Sequence, residues 1–241
     1  MKSNTFIFPA IVAFTFLLYS CGKNNVWGIT GKGSNVTETR DLRGFDRISL
    51  RTDGNISYTQ DSIFFVEITG QKNILNVLST QVENNTLVVD FKKNVWKHNK
   101  LKITIHCPAI YALSISGSGN IEVQNQINTT YMELTISGSG NIHLPALKAT
   151  TLETRLSGSG NMDVDGGSVS SQNLNISGSG DMDMLNLTSA NCTCKISGSG
   201  DILVKALETL DVSISGSGNV TYSGFPRINS QISGSGKLTR I

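Results

Sequence analysis

The residues that could do chemistry are few and evenly placed. Asp163 and Asp183 stand twenty residues apart, and so do Asp181 and Asp201. Brought side by side on neighbouring strands about 4.8 Å apart, two such carboxyls approach the ~5–5.5 Å separation of retaining glycosidases. Arg155 and Lys195 share a second such column, but no insertion beside them is long enough to wall a cleft. Asp163 and Asp183 are therefore candidate contacts for a ligand or ion, and no catalytic residue is expected. The many serines of the second half offer seven equivalent nucleophiles and no Gly-x-Ser-x-Gly elbow, which is no basis for a mechanism. They read as hydrogen-bonding groups at a turn.

Metal and redox chemistry find little support. His98, His106 and His143 form no ligand motif, and Cys107, Cys192 and Cys194 lack a second pair at zinc spacing. Cys192 and Cys194, two apart on one strand, point to the same face and are poorly placed to bond each other. All three cysteines read as small core residues. The Gly-Gly-x-Gly-x-Asp pattern of calcium β-rolls is absent, so no cofactor is expected and the fold should be independent of metal.

The spacing of these groups comes from a repeat. Ser-Gly-Ser-Gly recurs with its first serine at Ser116, Ser137, Ser157, Ser177, Ser197, Ser215 and Ser233, in steps of 21, 20, 20, 20, 18 and 18 residues. A fixed period of this size is the mark of a solenoid. The residue before each marker is aliphatic: Ile115, Ile136, Leu156, Ile176, Ile196, Ile214 and Ile232. Five and seven residues after it, Ile142 and Leu144, Met162 and Val164, and Met182 and Met184 continue the alternation, while Glu122, His143, Asp163 and Asp183 between them face outward. A flexible Ser-Gly linker would not be held between aliphatic columns.

Each repeat is thus a strand, a corner and a second strand. Gly138, Gly140 and Asn141, then Gly158, Gly160 and Asn161, then Gly178, Gly180 and Asp181 build successive corners, where glycine and Asn or Asp would supply the positive φ of a sharp turn. The expected fold is all-β: a parallel β-helix with coils of about 18–21 residues, one aliphatic face inward. In the last copy Ser230 and Arg240 occupy inward columns and Lys237 the Asn position, as in a polar cap.

Ahead of the regular coils (113–241), residues 41–112 read as irregular N-terminal coils of the same head domain. Strands are expected around Ile48, Ile56 and Val66, and the stretch Asn55-Ile56-Ser57-Tyr58 aligns with Asn120-Ile121-Glu122-Val123 as an early copy, where the solenoid would start. Ile74, Leu75 and Leu78 have helical spacing and suggest a short helix. The strands Leu87–Phe91 and Leu101–Ile105 are joined by a Lys-rich excursion with Trp96, expected as a surface hairpin.

Net charge +2, 38% hydrophobic residues and no basic run argue against disorder and against nucleic acid as a partner. Lys2 and the apolar run Phe6–Leu18 suit a secretory leader, 1–20, too short to span a membrane comfortably. Leu18-Tyr19-Ser20-Cys21 resembles the lipobox of bacterial lipoproteins, apart from Tyr19. That resemblance implies lipidation of Cys21, a membrane anchor of several acyl chains and placement in the Gram-negative cell envelope, at the outer membrane. The polar, Gly-rich residues 21–40 read as a tether.

From about Phe45 onward the chain resembles the bacterial auto-transporter adhesin head domain, or head GIN domain, family. Gly44-Phe45-Asp46-Arg47-Ile48, the Leu101–Ile105 strand with Pro108, and the Gly-Ser-Gly-Asn-Ile and Gly-Ser-Gly-Asp corners carry the likeness. It implies a right-handed parallel β-helix of pectin-lyase-like shape, no catalytic residues and a role in adhesion. The expected function is that of an envelope lipoprotein recognising glycan or protein through its outward faces. The alternatives are a carbohydrate-active lyase or hydrolase on the same scaffold, and a structural protein assembling as a homo-oligomer.

Overall fold

The computed structural model describes residues 28–241. The leader, Cys21 and residues 22–27 lie outside them. The N-terminal part contains β1 (Ile29–Thr30), β2 (Asn35–Thr39), β3 (Arg47–Leu50), β4 (Asn55–Gln60) and β5 (Phe65–Gln71). The single turn α1 (Lys72–Leu75), β6 (Leu78–Glu83), β7 (Thr86–Phe91), β8 (Val95–Lys97) and β9 (Lys102–Cys107) follow. The regular coils begin with β10 (Ala112–Gly117), β11 (Asn120–Val123), β12 (Ile127–Asn128), β13 (Tyr131–Gly138) and β14 (Asn141–Leu144). They continue through β15 (Leu147–Gly158), β16 (Asn161–Val164), β17 (Gly167–Gly178), β18 (Asp181–Gly198) and β19 (Ile202–Gly216) to β20 (Val220–Ser223), β21 (Arg227–Gly234) and β22 (Leu238–Arg240).

The regular half is an all-β parallel solenoid, as the repeat required. Ile115, Ile136, Leu156, Ile176, Ile196, Ile214 and Ile232 pair one to the next across successive coils. All but Ile232 are buried. A single coil has no second layer to cover its apolar face, whereas a stack covers it from above and below. Each buried aliphatic then contributes roughly 1.5–3 kcal/mol. Cys192 and Cys194 are part of this core, unbonded, with their Sγ atoms 3.5 Å apart.

The corner works differently from the sequence expectation. Gly138, Gly158 and Gly178 do take positive φ, between 131° and 143°, but Asn141, Asn161 and Asp181 do not. Their contribution is a side-chain ladder. The backbone N–H of each corner Asn or Asp donates to the Oδ1 of its equivalent one coil back, as in Asn161 to Asn141 (3.1 Å), Asp201 to Asp181 (2.8 Å) and Asn219 to Asp201 (2.8 Å). Gly140, Gly160 and Gly180 are needed for closeness instead. A Cβ on Gly160 would stand 2.0 Å from the Gly140 carbonyl oxygen, and one on Gly180 equally close to that of Gly160. The serines bond through the backbone: the Ser139, Ser159 and Ser179 N–H groups donate to the carbonyls of Gly117, Gly138 and Gly158 at 2.9–3.0 Å. Their hydroxyls point to solvent.

The N-terminal end departs from a simple start at β3. The alignment of β4 with β11 holds, Ile56 pairing Ile121, yet β3 and β4 also pair in parallel with β7 and β9, which come later in the chain. The coil of β7 and β9 therefore lies beneath that of β3 and β4. Beneath it again, β5 pairs β9 and β6 pairs β7 in antiparallel fashion, and β2 pairs β5. These reversals end the parallel ladder, while α1 buries Ile74 and Leu75 against it. Two expectations are corrected here. Residues 29–39 are not tether: β2 joins the sheet through its backbone, with mostly exposed side chains that leave no apolar alternation to read. The excursion around Trp96 is not a hairpin, because β8 pairs in parallel with β1.

Ile176→Asp should lower unfolding free energy by at least ~3 kcal/mol, since an unpaired carboxylate enters the core. Gly160→Ala should cost ~1–3 kcal/mol by forcing two coils apart, while Ser159→Ala should stay within about 0.5 kcal/mol. Denaturant titration of the three variants checks all of them.

Candidate functional site

The outward side chains form two ruled faces on either side of the corner. Before it, Thr135, Arg155, Asn175, Lys195, Ser213 and Gln231 stack in one column beside the exposed corner serines. Register in a parallel ladder is set by the inward aliphatics, so the outward residues inherit the alignment whatever their chemistry. Arg155, Asn175, Lys195 and Ser213, with the corner serines, edge an open depression of about 460 Å³. Arg155 donates to Glu133 at 2.8 Å but stays largely exposed, and an exposed pair of this kind holds an arginine only weakly. The face therefore presents two cations, an amide and a file of hydroxyls at coil spacing.

After the corner the face is acidic. Glu122, His143, Asp163 and Asp183 align in successive coils. Asp163 and Asp183 are thus brought together as neighbours, but Asp163 alone, with Glu122, His143, Asn120 and Asn141, edges a depression of about 410 Å³. Burial raises the Asp163 carboxyl above its ordinary range and the charge of Asp183 adds to the effect, with His143 opposing it. Among the described residues no group of three or more His, Cys, Asp or Glu is arranged to hold a metal ion.

His143 carries an interaction that motif reading missed. Its Nδ1 lies 2.6 Å from Glu122 Oε1 one coil back, and its Nε2 lies 2.8 Å from Asp165 Oδ2 one coil on. Two carboxylate acceptors require both ring nitrogens to donate, which is the imidazolium form. Burial lowers the His143 pKa, but the hydrogen bonds it donates to Asp165 and Glu122 outweigh it and the net shift is upward. The signal lay in the column register, since Glu122 and Asp165 fall 21 and 22 residues on either side, and not in any local motif. His98 and His106 likewise meet Asp53 at 3.0 Å and Asp61 at 3.1 Å. The buried thiols are chemically quiet: burial pushes Cys107 up to about 11, and Cys192 is raised by its contact with Cys194 and by burial.

Residues 44–226 match the family described as "Putative auto-transporter adhesin, head GIN domain". The chain belongs to this family. A solved structure of a "putative adhesin" from Bacteroides fragilis is similar over 89% of this chain and 100% of its own, with 28% identity and a TM-score of 0.81. A "putative lipid binding protein" from Parabacteroides distasonis shares 27% identity over 88% of this chain and 99% of its own, with a TM-score of 0.76. A "putative adhesin" from Parabacteroides merdae, at 19% identity and a TM-score of 0.77 over 88% of this chain and 98% of its own, shares the fold. No curated protein matches the chain. Among the described residues no helix is long and apolar enough to cross a membrane.

Two neighbours on the acidic face, His143 and Asp163, both have folded pKa values above their ordinary ones, so both make the fold less stable as pH rises. His143 has a folded pKa above its reference value of 6.5, so the stability it adds is complete below that value and is lost as pH rises through the folded pKa. Unfolding free energies of wild type and His143→Gln should differ most between the carboxylate range and pH 6.5, and converge at alkaline pH. Asp163 is destabilising once ionised, so Asp163→Asn should raise stability at pH 7, read in the same titration.

Proposed function

We propose that this protein is a lipid-anchored adhesin of the Gram-negative cell envelope, in which the leader ends at Cys21 and the β-helix is a rigid binding module for glycan or protein. The leader, the Leu18-Tyr19-Ser20-Cys21 lipobox and the adhesin family support that reading. The observation that carries the binding role is the face before the corner. Its hydroxyls, the Asn175 amide, Arg155 and Lys195 repeat at the coil rise of about 4.8 Å, a spacing on which an extended acidic glycan can bond successive sugars. Hydroxyl and amide groups on a rigid sheet lose little freedom on binding, so weak contacts can add along the file.

A second reading has one observation in its favour. Asp163, its carboxyl raised by burial and by the neighbouring charge of Asp183, stands beside a second carboxyl in the next coil, as a carbohydrate-active enzyme would need.

The mature protein on a glycan array should bind acidic glycans, with Arg155→Ala and Lys195→Ala each weakening binding about tenfold. Retained binding in the double variant would remove this face from the reading. Turnover of a polysaccharide panel that disappears in Asp163→Ala and Asp183→Ala would favour the enzyme.

A further inference from the structure

The far end of the solenoid is the most unusual surface of the molecule. Of the eight large apolar side chains exposed among the described residues, five, Leu207, Phe225, Ile228, Ile232 and Ile241, lie in the last two coils, and Phe225 is 83% exposed. Phe225, next to Gly224 with φ 106°, and Leu207 in β19 occupy equivalent positions of adjacent coils. All eight residues of β21 are exposed. The polar cap expected from Ser230, Lys237 and Arg240 is thus only half present, because the aliphatic column continues through Ile232 into the open.

The charges on this end are of one sign. From Val212 to Ile241 the chain has Arg227, Lys237 and Arg240 and neither Asp nor Glu. Glu208 and Asp211 border it from the coil beneath, and Asp211 accepts a hydrogen bond from Asn229. The Arg240 guanidinium stands 3.7 Å over the Phe225 ring, so cation and ring are presented together. Lys237 also ends the corner ladder: its N–H donates to Asn219 Oδ1 at 3.2 Å, but its own side chain has no oxygen to offer a further coil.

A second copy fits this surface poorly. Two-fold pairing of the end with itself would set three cations against three, and lysine on a strand edge discourages edge-to-edge pairing. The opposite end is closed by β2 and β6, each antiparallel to its single neighbour, so head-to-tail stacking finds no parallel ladder there to continue. Basic and apolar groups mixed on one exposed surface instead complement anionic headgroups over hydrocarbon.

We propose that the end coil, Phe225 to Ile241 with Leu207, is a docking surface for an anionic lipid bilayer. Phe225 and Leu207 enter the interface, and Arg227, Lys237 and Arg240 meet lipid phosphates. The outer edges of β21 and β22 stay at headgroup depth, where their backbone groups still find hydrogen-bond partners. The surface is separate from both lateral faces, so glycan binding there and bilayer docking here can fail independently.

Residues 28–241, which contain every element described for the solenoid, are co-sedimented with phosphatidylcholine vesicles with and without phosphatidylglycerol. Binding is expected only with phosphatidylglycerol and should fall as salt rises. It should weaken about tenfold or more in Arg227→Glu/Lys237→Glu and in Phe225→Ser, with unchanged melting curves and no effect of Arg43→Glu. Equal binding to neutral vesicles overturns the proposal. So does a failure to sediment, whether or not ultracentrifugation shows a dimer that the same variants break.

Discussion

The close approach of one coil's backbone to the next at the corner is the contact on which the rest of the molecule depends. The carbonyl oxygen of each second corner glycine lies where the next glycine's Cβ would be, 2.0–2.2 Å away in every regular coil from Gly140 on. Any other residue there would hold the coils apart, and the strands on both sides would lose their pairing distance together. Because each corner feeds two strands, one oversized side chain disturbs two faces. The aliphatic columns supply most of the stabilisation, but only once the corner permits the stacking that buries them.

The Asn and Asp ladder makes the same contact directional. A peptide N–H at a turn has no strand neighbour to receive it, and leaving it unmade in a half-buried corner would cost about 1–3 kcal/mol. From Asn141 on, the side chain one coil back accepts it, so each coil satisfies its successor. This dependence has an end condition at both termini of the stack. At the N-terminal end β5 and β6 run antiparallel to their neighbours and close the ladder with strands rather than with a corner. At the other end Lys237 donates its own N–H to Asn219 Oδ1 and offers no side-chain oxygen to a further coil.

What could be read from residues alone follows from this periodicity. The columns through Ile176 and through Asp163 were legible because a constant step converts sequence distance into spatial adjacency. The paired placement of Asp163 and Asp183 came from the same rule, as did the buried, unbonded Cys192 and Cys194. The corner Asn was placed correctly and explained wrongly: a residue chosen to accept a hydrogen bond and one chosen for positive φ leave the same letter in the sequence. Where the period fails, reading fails. The coil of β7 and β9 slips beneath β3 and β4 against chain order, and nothing local in Leu87–Phe91 distinguishes a strand that continues the stack from one that goes back under it. β2 was hidden for the complementary reason, since an edge strand held by its backbone needs no apolar alternation.

The division of labour between repeated and varied positions bears on function. Residues that recur, the glycines, the aliphatics and the Asn ladder, are all consumed by inter-coil contacts and have little left to offer a ligand. The outward columns are free of that demand, so Arg155 and Lys195 can stand among hydroxyls on one face while Glu122, Asp163 and Asp183 gather on another without disturbing the register of the stack. Like charges 4.8 Å apart in a ladder repel, and the acidic face answers with His143, which links three coils by bonding Glu122 on one side and Asp165 on the other. The end coil has no such counter-charge. Arg227, Lys237 and Arg240 occupy the coil with the fewest neighbours, where their repulsion is screened by water and, apart from the contact of Arg240 with the Phe225 ring, their charge remains available to an anionic partner.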